Sequence, residues 1–277
     1  MNITYSYNTL VYAGEDITKS VERLAQAGYD YVDFIGEPEK QNIAKIVASL
    51  KENHIQASSI CALFTQERDL ISSTKAIREN TVKYIKDCVD FAVAIGARFI
   101  SVQVTANMKI RPEADKATEL KWAVAGLKEA GQYALEKGIK LTLEAWNRYE
   151  TYFVNRMEQS LEIVNMVNLP SVGCMADTYH MNIEEDNIAD AIRLTGKKLF
   201  YVHVADSNRK APGRGHIDFK AFAQALRDID YNGTLSMELL PAAADPFMVL
   251  EGEGSPEFFD QYTKESIKFL KNLFEEE

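Results

Sequence analysis

The chain has 277 residues, 46% hydrophobic and 10% aromatic, and a formal net charge of −10 at pH 7. That length and apolar content suit a full core in one domain, and the acidic balance, with no basic block, argues against a nucleic-acid partner held through its phosphates. No apolar run approaches about 18 residues and the opening MNITYSYNTL has no charged start before an apolar stretch, so neither a membrane span nor export is expected. Cys61, Cys88 and Cys174 are widely spaced and form no CxxC pair, which fits reduced, buried thiols in a cytoplasmic protein.

Short β-like runs alternate with helix-length amphipathic runs along the whole chain, as expected of a parallel sheet with crossover helices. The first strand is predicted at 3–7, with a helix at 16–27 that stops at Gly28, and the second at 31–35, with a helix at 38–53. The third, 56–62, leads through a polar loop, 63–73, into a long helix at 74–95 that ends at Gly96. The fourth, 98–104, precedes a helix entered at Pro112 and running to Gly138, with Ala123, Leu127, Ala130 and Ala134 at helical spacing on one face.

The fifth strand, LTLEA from Leu141, places Thr142, Glu144 and Trp146 on one face and Leu141, Leu143 and Ala145 on the other. Its helix is expected to start at Asn155, with Glu158 completing a capping box. The sixth strand spans 171–177, with a helix at 186–195 stopping at Gly196. The seventh, 199–206, runs into a long loop and a helix at 218–230 capped by Asp218, with Phe219, Phe222, Ala223 and Leu226 as its buried stripe. Asn232 and Gly233 turn the chain into the eighth strand, 234–240. A loose loop, 242–254, carries Phe247, Met248, Val249 and Leu250 as a candidate lid or contact, and Ser255 and Pro256 begin the last helix. Eight βα units of roughly 35 residues predict an α/β fold, one (β/α)8 TIM barrel over residues 1–277. A doubly wound open sheet competes, but the first βα turn lacks a Gly-rich fingerprint.

Active sites of such barrels lie at the C-terminal ends of the strands. Strands five to eight end in LTLEA, CMAD, YVHVAD and LSMELL, presenting Glu144, Asp177, His203 and Glu238 at one height. Taken singly, Glu238 could be a rim residue, Asp177 a helix cap and His203 a satisfied core histidine. At equivalent positions on four consecutive strands they read as ligands of one divalent ion. Three carboxylates and an imidazole favour Mn²⁺, with Co²⁺ or Mg²⁺ as alternatives, over a structural zinc.

The motifs LEAWNRYET, ADTYHMNIEE and HVADSNRKAPGRGHIDF resemble those of the ketose 3-epimerases, acting on D-tagatose, D-psicose or L-ribulose, within the xylose isomerase-like barrels. The resemblance is motif-specific from about Leu141 to Glu238 and only architectural before that. It implies that Glu144, Asp177, His203 and Glu238 bind the metal. It also implies that Glu150, His180 and Arg209, which lie six, three and six residues after the first three of these, bind substrate. Glu144 and Glu238 would then be the catalytic pair, one removing the proton beside the carbonyl and the other returning it on the opposite face. No nucleotide cofactor is implied, the partner is a small sugar, and a homodimer or homotetramer is expected. Trp146, one pleat beyond Glu144, would wall the pocket.

Three other functions compete. Arg209, Lys210 and Arg214 form a basic loop that could receive the carboxylate of a keto-sugar acid, and an inosose is a related substrate. An endonuclease IV-like phosphodiesterase would want several metals, more histidines and a basic surface. A non-catalytic sugar-binding barrel would leave both glutamates without a task.

Overall fold

The computed structural model describes residues 1–12, 14–240 and 257–275. Its strands are β1 (Thr4–Tyr7), β2 (Tyr31–Gly36), β3 (Gln56–Ala62), β4 (Phe99–Val102), β5 (Lys140–Glu144), β6 (Val172–Asp177), β7 (Leu199–Val204) and β8 (Thr234–Met237). All pair in parallel, in the order β1-β8-β7-β6-β5-β4-β3-β2. A bridge between Asn8 and Asp33 joins β1 to β2, so the sheet nearly closes into a barrel. Parallel neighbours require crossovers, and these are α1 (Ile17–Ala27), α2 (Ile43–Glu52), α3 (Lys75–Ile95), α4 (Lys116–Glu136), α5 (Met157–Val167), α6 (Thr178–Glu184), α7 (Ile188–Thr195) and α8 (Phe219–Asp228), with α9 (Thr263–Glu275) closing the ring. No helix among the described residues is long and apolar enough to cross a membrane.

The alternation in β5 does what its side chains require. Leu141 and Leu143 are fully buried under the helices, while Thr142 and Glu144 take the alternate positions that face the barrel interior. On α4, Ala123, Leu127, Ala130 and Ala134 are all fully buried, as their spacing demands. Gly28 and Gly96 take left-handed φ of 86° and 81° and end α1 and α3, where a side chain would be strained.

Several boundaries differ from the sequence reading. The fourth helix is capped by Asp115, whose carboxylate accepts from Thr118 N, so Pro112 lies before it and not at its entry. The fifth starts at Met157, and its reciprocal cap uses Gln159 instead of Glu158: Gln159 Oε1 accepts from the backbone of Asn155 and Arg156. Between β6 and α7 stands a further helix, α6, which the sequence reading left out. The loop 63–73 is not merely polar, since Phe64, Leu70 and Ile71 are core residues. The candidate lid 242–254, the helix start at Ser255 and Pro256, and Glu276 and Glu277 lie outside the described residues.

Candidate active site

Four side chains meet where β5 to β8 end. Glu144 closes β5, Asp177 closes β6, His203 is the penultimate residue of β7 and Glu238 directly follows β8. One ligand atom from each lies within 4.8 Å of the others, and all four residues are buried. His203 Nδ1 is 3.5 Å from Glu238 Oε1, 3.8 Å from Glu144 Oε1 and 3.9 Å from Asp177 Oδ2. Glu144 Oε1, Asp177 Oδ2 and His203 Nδ1 have no hydrogen-bond partner among the described residues. Buried polar atoms are nearly always satisfied, so three such atoms converging on one point fit a cation. The group could hold a metal ion.

Asp177 serves as helix cap and as member of the cluster at once, one oxygen for each. Oδ1 accepts from Tyr179 N and His180 N at the start of α6, leaving Oδ2 for the cluster. Burial, with Glu144 and Glu238 beside it, lifts the Asp177 carboxyl from its ordinary 3.8 to about 8. Burial opposes charge on His203 as well, but Glu238, Asp33 and Glu144 outweigh it and hold the imidazole well above its usual range. Glu238 moves the other way: His203 and Arg209 overcome burial and keep it ionised. Without a cation the cluster retains protons that a cation would displace.

Next to the cluster lie Glu150, His180 and Arg209, joined through Asn147. Asn147 N and Nδ2 both point at His180 Nδ1, at 3.1 and 2.8 Å, so Nδ1 accepts and Nε2 carries the proton. Burial first, then the Arg209 charge, push His180 well below its usual pKa, so it stays neutral. Its Nε2–H is 3.9 Å from Glu144 Oε1 and has no hydrogen-bond acceptor among the described residues. Glu150 Oε1 accepts from Asn147 Nδ2 at 2.9 Å and Arg209 Nη1 at 3.3 Å. The guanidinium lies 4.5 Å from the Tyr179 ring centroid and Nη2 is 3.7 Å from Glu238 Oε2. Trp146 is half-buried, its ring 6.3 Å from the His180 imidazole.

Arg209 is delivered by a loop that Asp206 organises. The buried Asp206 carboxylate accepts from the backbone of Ser207, Gly213 and Ile217, and Arg209 itself sits at φ 61°. Gly215 passes so close that a Cβ there would lie 2.2 Å from Asp206 Oδ1 and 2.3 Å from Ser207 Oγ. Gly215→Ala is therefore expected to shift the loop and weaken substrate binding through Arg209, raising KM about tenfold while kcat changes less. Steady-state kinetics check this; an unchanged KM would detach the loop from the site.

Glu150 belongs to the site, whereas Arg148, two residues before it, makes a bidentate pair with Glu184. His216 faces Ser207 on the exposed side of its loop, and His54 is exposed. Four neighbours of the site went unread in the sequence: Asn8, Cys61, Gln103 and Asn147. Asn8 Nδ2 donates to Glu238 Oε1 at 2.9 Å, Cys61 Sγ lies 3.6 Å from that oxygen, and Gln103 Nε2 donates to Glu144 Oε2 at 3.0 Å. Asn8 and Gln103 follow strands one and four as Glu238 follows strand eight, so the strand-end rule applied to the first half of the barrel finds them.

The family model of the xylose isomerase-like TIM barrel matches residues 21–273. The chain is 30% identical over 241 residues to L-ribulose 3-epimerase of Methylomonas sp., covering 85% of this chain and 84% of that one. It is 32% identical over 225 residues to ketose 3-epimerase of Arthrobacter globiformis, covering 81% and 78%. The crystal structure of D-allulose 3-epimerase from Methylomonas sp. in complex with D-allulose aligns with a TM-score of 0.89 at 27% identity, over 98% of this chain and 97% of that one.

Proposed function

Because this chain belongs to the xylose isomerase-like TIM barrel family and is an isomerase of the sugar-epimerase type, we propose that it inverts C3, the carbon beside the carbonyl, of a ketose. The observation that carries this reading is the pair of buried glutamates, Glu144 and Glu238, in a cluster whose other members are Asp177 and His203. They reach it from strands separated by β6 and β7, so they approach a bound sugar from different sides. One removes the C3 proton, leaving an ene-diolate, and the other supplies a proton to the opposite face.

Glu144, Asp177, His203 and Glu238 would hold the ion, and three carboxylates with one imidazole suit Mn²⁺, then Co²⁺ or Mg²⁺. When bound, a divalent ion supplies charge stabilisation for the oxygens of the ene-diolate. The neutral His180 donates Nε2–H to a substrate oxygen, and the Arg209 guanidinium donates to another. Glu150 keeps Arg209 and Asn147 in place and so fixes the orientation of His180. Trp146, beside His180, walls the sugar. The site works at the C-terminal ends of β5 to β8 of a barrel made by the whole chain.

The test is proton NMR of a panel of neutral ketoses and keto-sugar acids in deuterated buffer with Mn²⁺. Deuterium at C3 together with the epimer is expected from a neutral ketose. Exchange on acids alone would transfer the reading to the keto-sugar acids, and exchange on none would sink both.

Of the basic loop that motivated the acid reading, Arg209 faces the site while Arg214 is engaged elsewhere. Arg214 pairs with Glu265 through Nε and Nη2, and its guanidinium lies 4.6 Å from the Tyr262 ring centroid. Arg214→Ala is accordingly expected to leave the ratio of neutral to acidic turnover within about twofold of the parent, the scale of an exposed ion pair. A selective loss on acids would restore the alternative.

A further inference from the structure

Both glutamates of the cluster are gripped by a neutral amide, but on different oxygens. Gln103, 3% exposed just after β4, donates Nε2–H to Glu144 Oε2, while Glu144 Oε1 is the atom that faces His203 and has no hydrogen-bond partner among the described residues. Asn8, fully buried after β1, donates Nδ2–H to Glu238 Oε1, the atom that itself faces His203 at 3.5 Å. Cys61 Sγ approaches the same oxygen. Glu238 Oε2 is left toward Arg209, 3.7 Å from Nη2. Two equivalent bases would be expected to carry equivalent supports, and these do not.

We propose that Gln103 and Asn8 are positioning residues with separate tasks, Gln103 aiming the proton-transfer oxygen of Glu144 and Asn8 fixing the cluster-facing oxygen of Glu238. A carboxylate on two flexible torsions must hold its oxygen within about half an ångström of a productive line, and a buried amide donor does this at one oxygen only. On Glu144 the amide holds the oxygen turned away from the cluster, the one left to exchange protons with the sugar. On Glu238 the amide holds the oxygen turned toward the cluster, and the proton-transfer oxygen borders Arg209. Proton transfer through Glu144 therefore depends on Gln103, whereas the ligand geometry of Glu238 depends on Asn8.

The inference rests on the epimerase reading, and the proton balance of that reading makes it measurable. Each turnover moves the C3 proton onto one glutamate, where it exchanges with solvent, and brings a solvent-derived proton to C3 from the other. An ene-diolate formed by Glu238 either regains deuterium on the same face, giving exchange without inversion, or takes it from Glu144, giving the epimer. Slowing Glu144 raises exchange relative to inversion when the starting epimer is deprotonated by Glu238, and lowers it from the other epimer.

Gln103→Met should shift this ratio about tenfold or more, in opposite senses from the two epimers, with Mn²⁺ affinity by calorimetry within about threefold of the parent. Gln103→Asn, which keeps the amide but not its reach, should shift it the same way by less. Asn8→Leu should weaken Mn²⁺ binding about tenfold or more and leave the ratio unchanged. Equal shifts from both epimers, no shift, loss of all exchange in both Gln103 variants, or the same pattern in the Gln103 and Asn8 variants would overturn the assignment. If the parent itself exchanges no ketose proton, the epimerase reading fails, while unequal Mn²⁺ affinities still support the division and equal ones overturn it.

Discussion

Glu238→Gln is expected to abolish inversion at C3, and solvent-deuterium exchange of the epimer that Glu238 deprotonates, while leaving the barrel folded. The amide has nearly the shape of the carboxylate, so the buried space after β8 stays filled. Its carbonyl oxygen still accepts from Asn8 Nδ2, the donor now 2.9 Å from Glu238 Oε1. What is lost is the ability to take a proton and a full negative charge beside His203 and Arg209. A positioned general base contributes roughly 10²–10⁴-fold, and removing one ligand charge from the cluster adds to that, so a fall of at least about 10³-fold is expected. Folding suffers less than chemistry, because two effects oppose: loss of the Glu238 charge eases the repulsion that adds to burial in raising Asp177, and forfeits the attraction of His203 and Arg209 for that charge. Deuterium wash-in by proton NMR, from both epimers, reads the chemistry and thermal melting reads the fold; inversion above about one-tenth of the parent rate would take Glu238 out of the reaction.

How much of this was readable beforehand depends on which physical constraint each residue obeys. Glu144, Asp177, His203 and Glu238 were legible because a strand with period two, ending at one rim of a barrel, puts its last inward side chain in the site whatever the loops do. Gln103 and Asn8 follow the same geometry, yet neutral amides carry no chemistry that marks them in a sequence, and their meaning lies in contacts to Glu144 and Glu238, 41 and 230 residues away. Helix α6 was legible only as the helix-cap alternative for Asp177: its seven residues are too short for a periodic signal, and the Asp177 side chain folded back onto Tyr179 N and His180 N marks its start. Arg148 and Glu150 are two residues apart in a loop, where spacing gives no facing rule, so Glu184 from α6 decides which of them stays outside.

Removing divalent ions with a chelator is expected to abolish C3 exchange and to lower the melting temperature, by an amount that grows with pH. In the metal-free protein Asp177 titrates near 8 and His203 is held well above its usual range, so at pH 7 both retain protons. A cation needs Asp177 ionised and His203 Nδ1 unprotonated, so binding at pH 7 releases about one to two protons and tightens as pH rises toward 8. The stability of the metal-free fold runs the opposite way. A carboxyl raised from 3.8 to about 8 gives its full contribution below 3.8, and that contribution is lost as pH rises through about 8. The two trends diverge, and the gap in melting temperature between loaded and stripped protein widens from pH 5.5 to pH 8, in steps of about half a pH unit. At an ion concentration about 100 times Kd, binding adds about 2.7 kcal/mol, which for a chain of this size is roughly 5–10 °C. Calorimetry in buffers of different ionisation enthalpy counts the protons directly. A gap that narrows with pH, or binding without proton release at pH 7, would mean that the ion does not bind through Asp177 and His203.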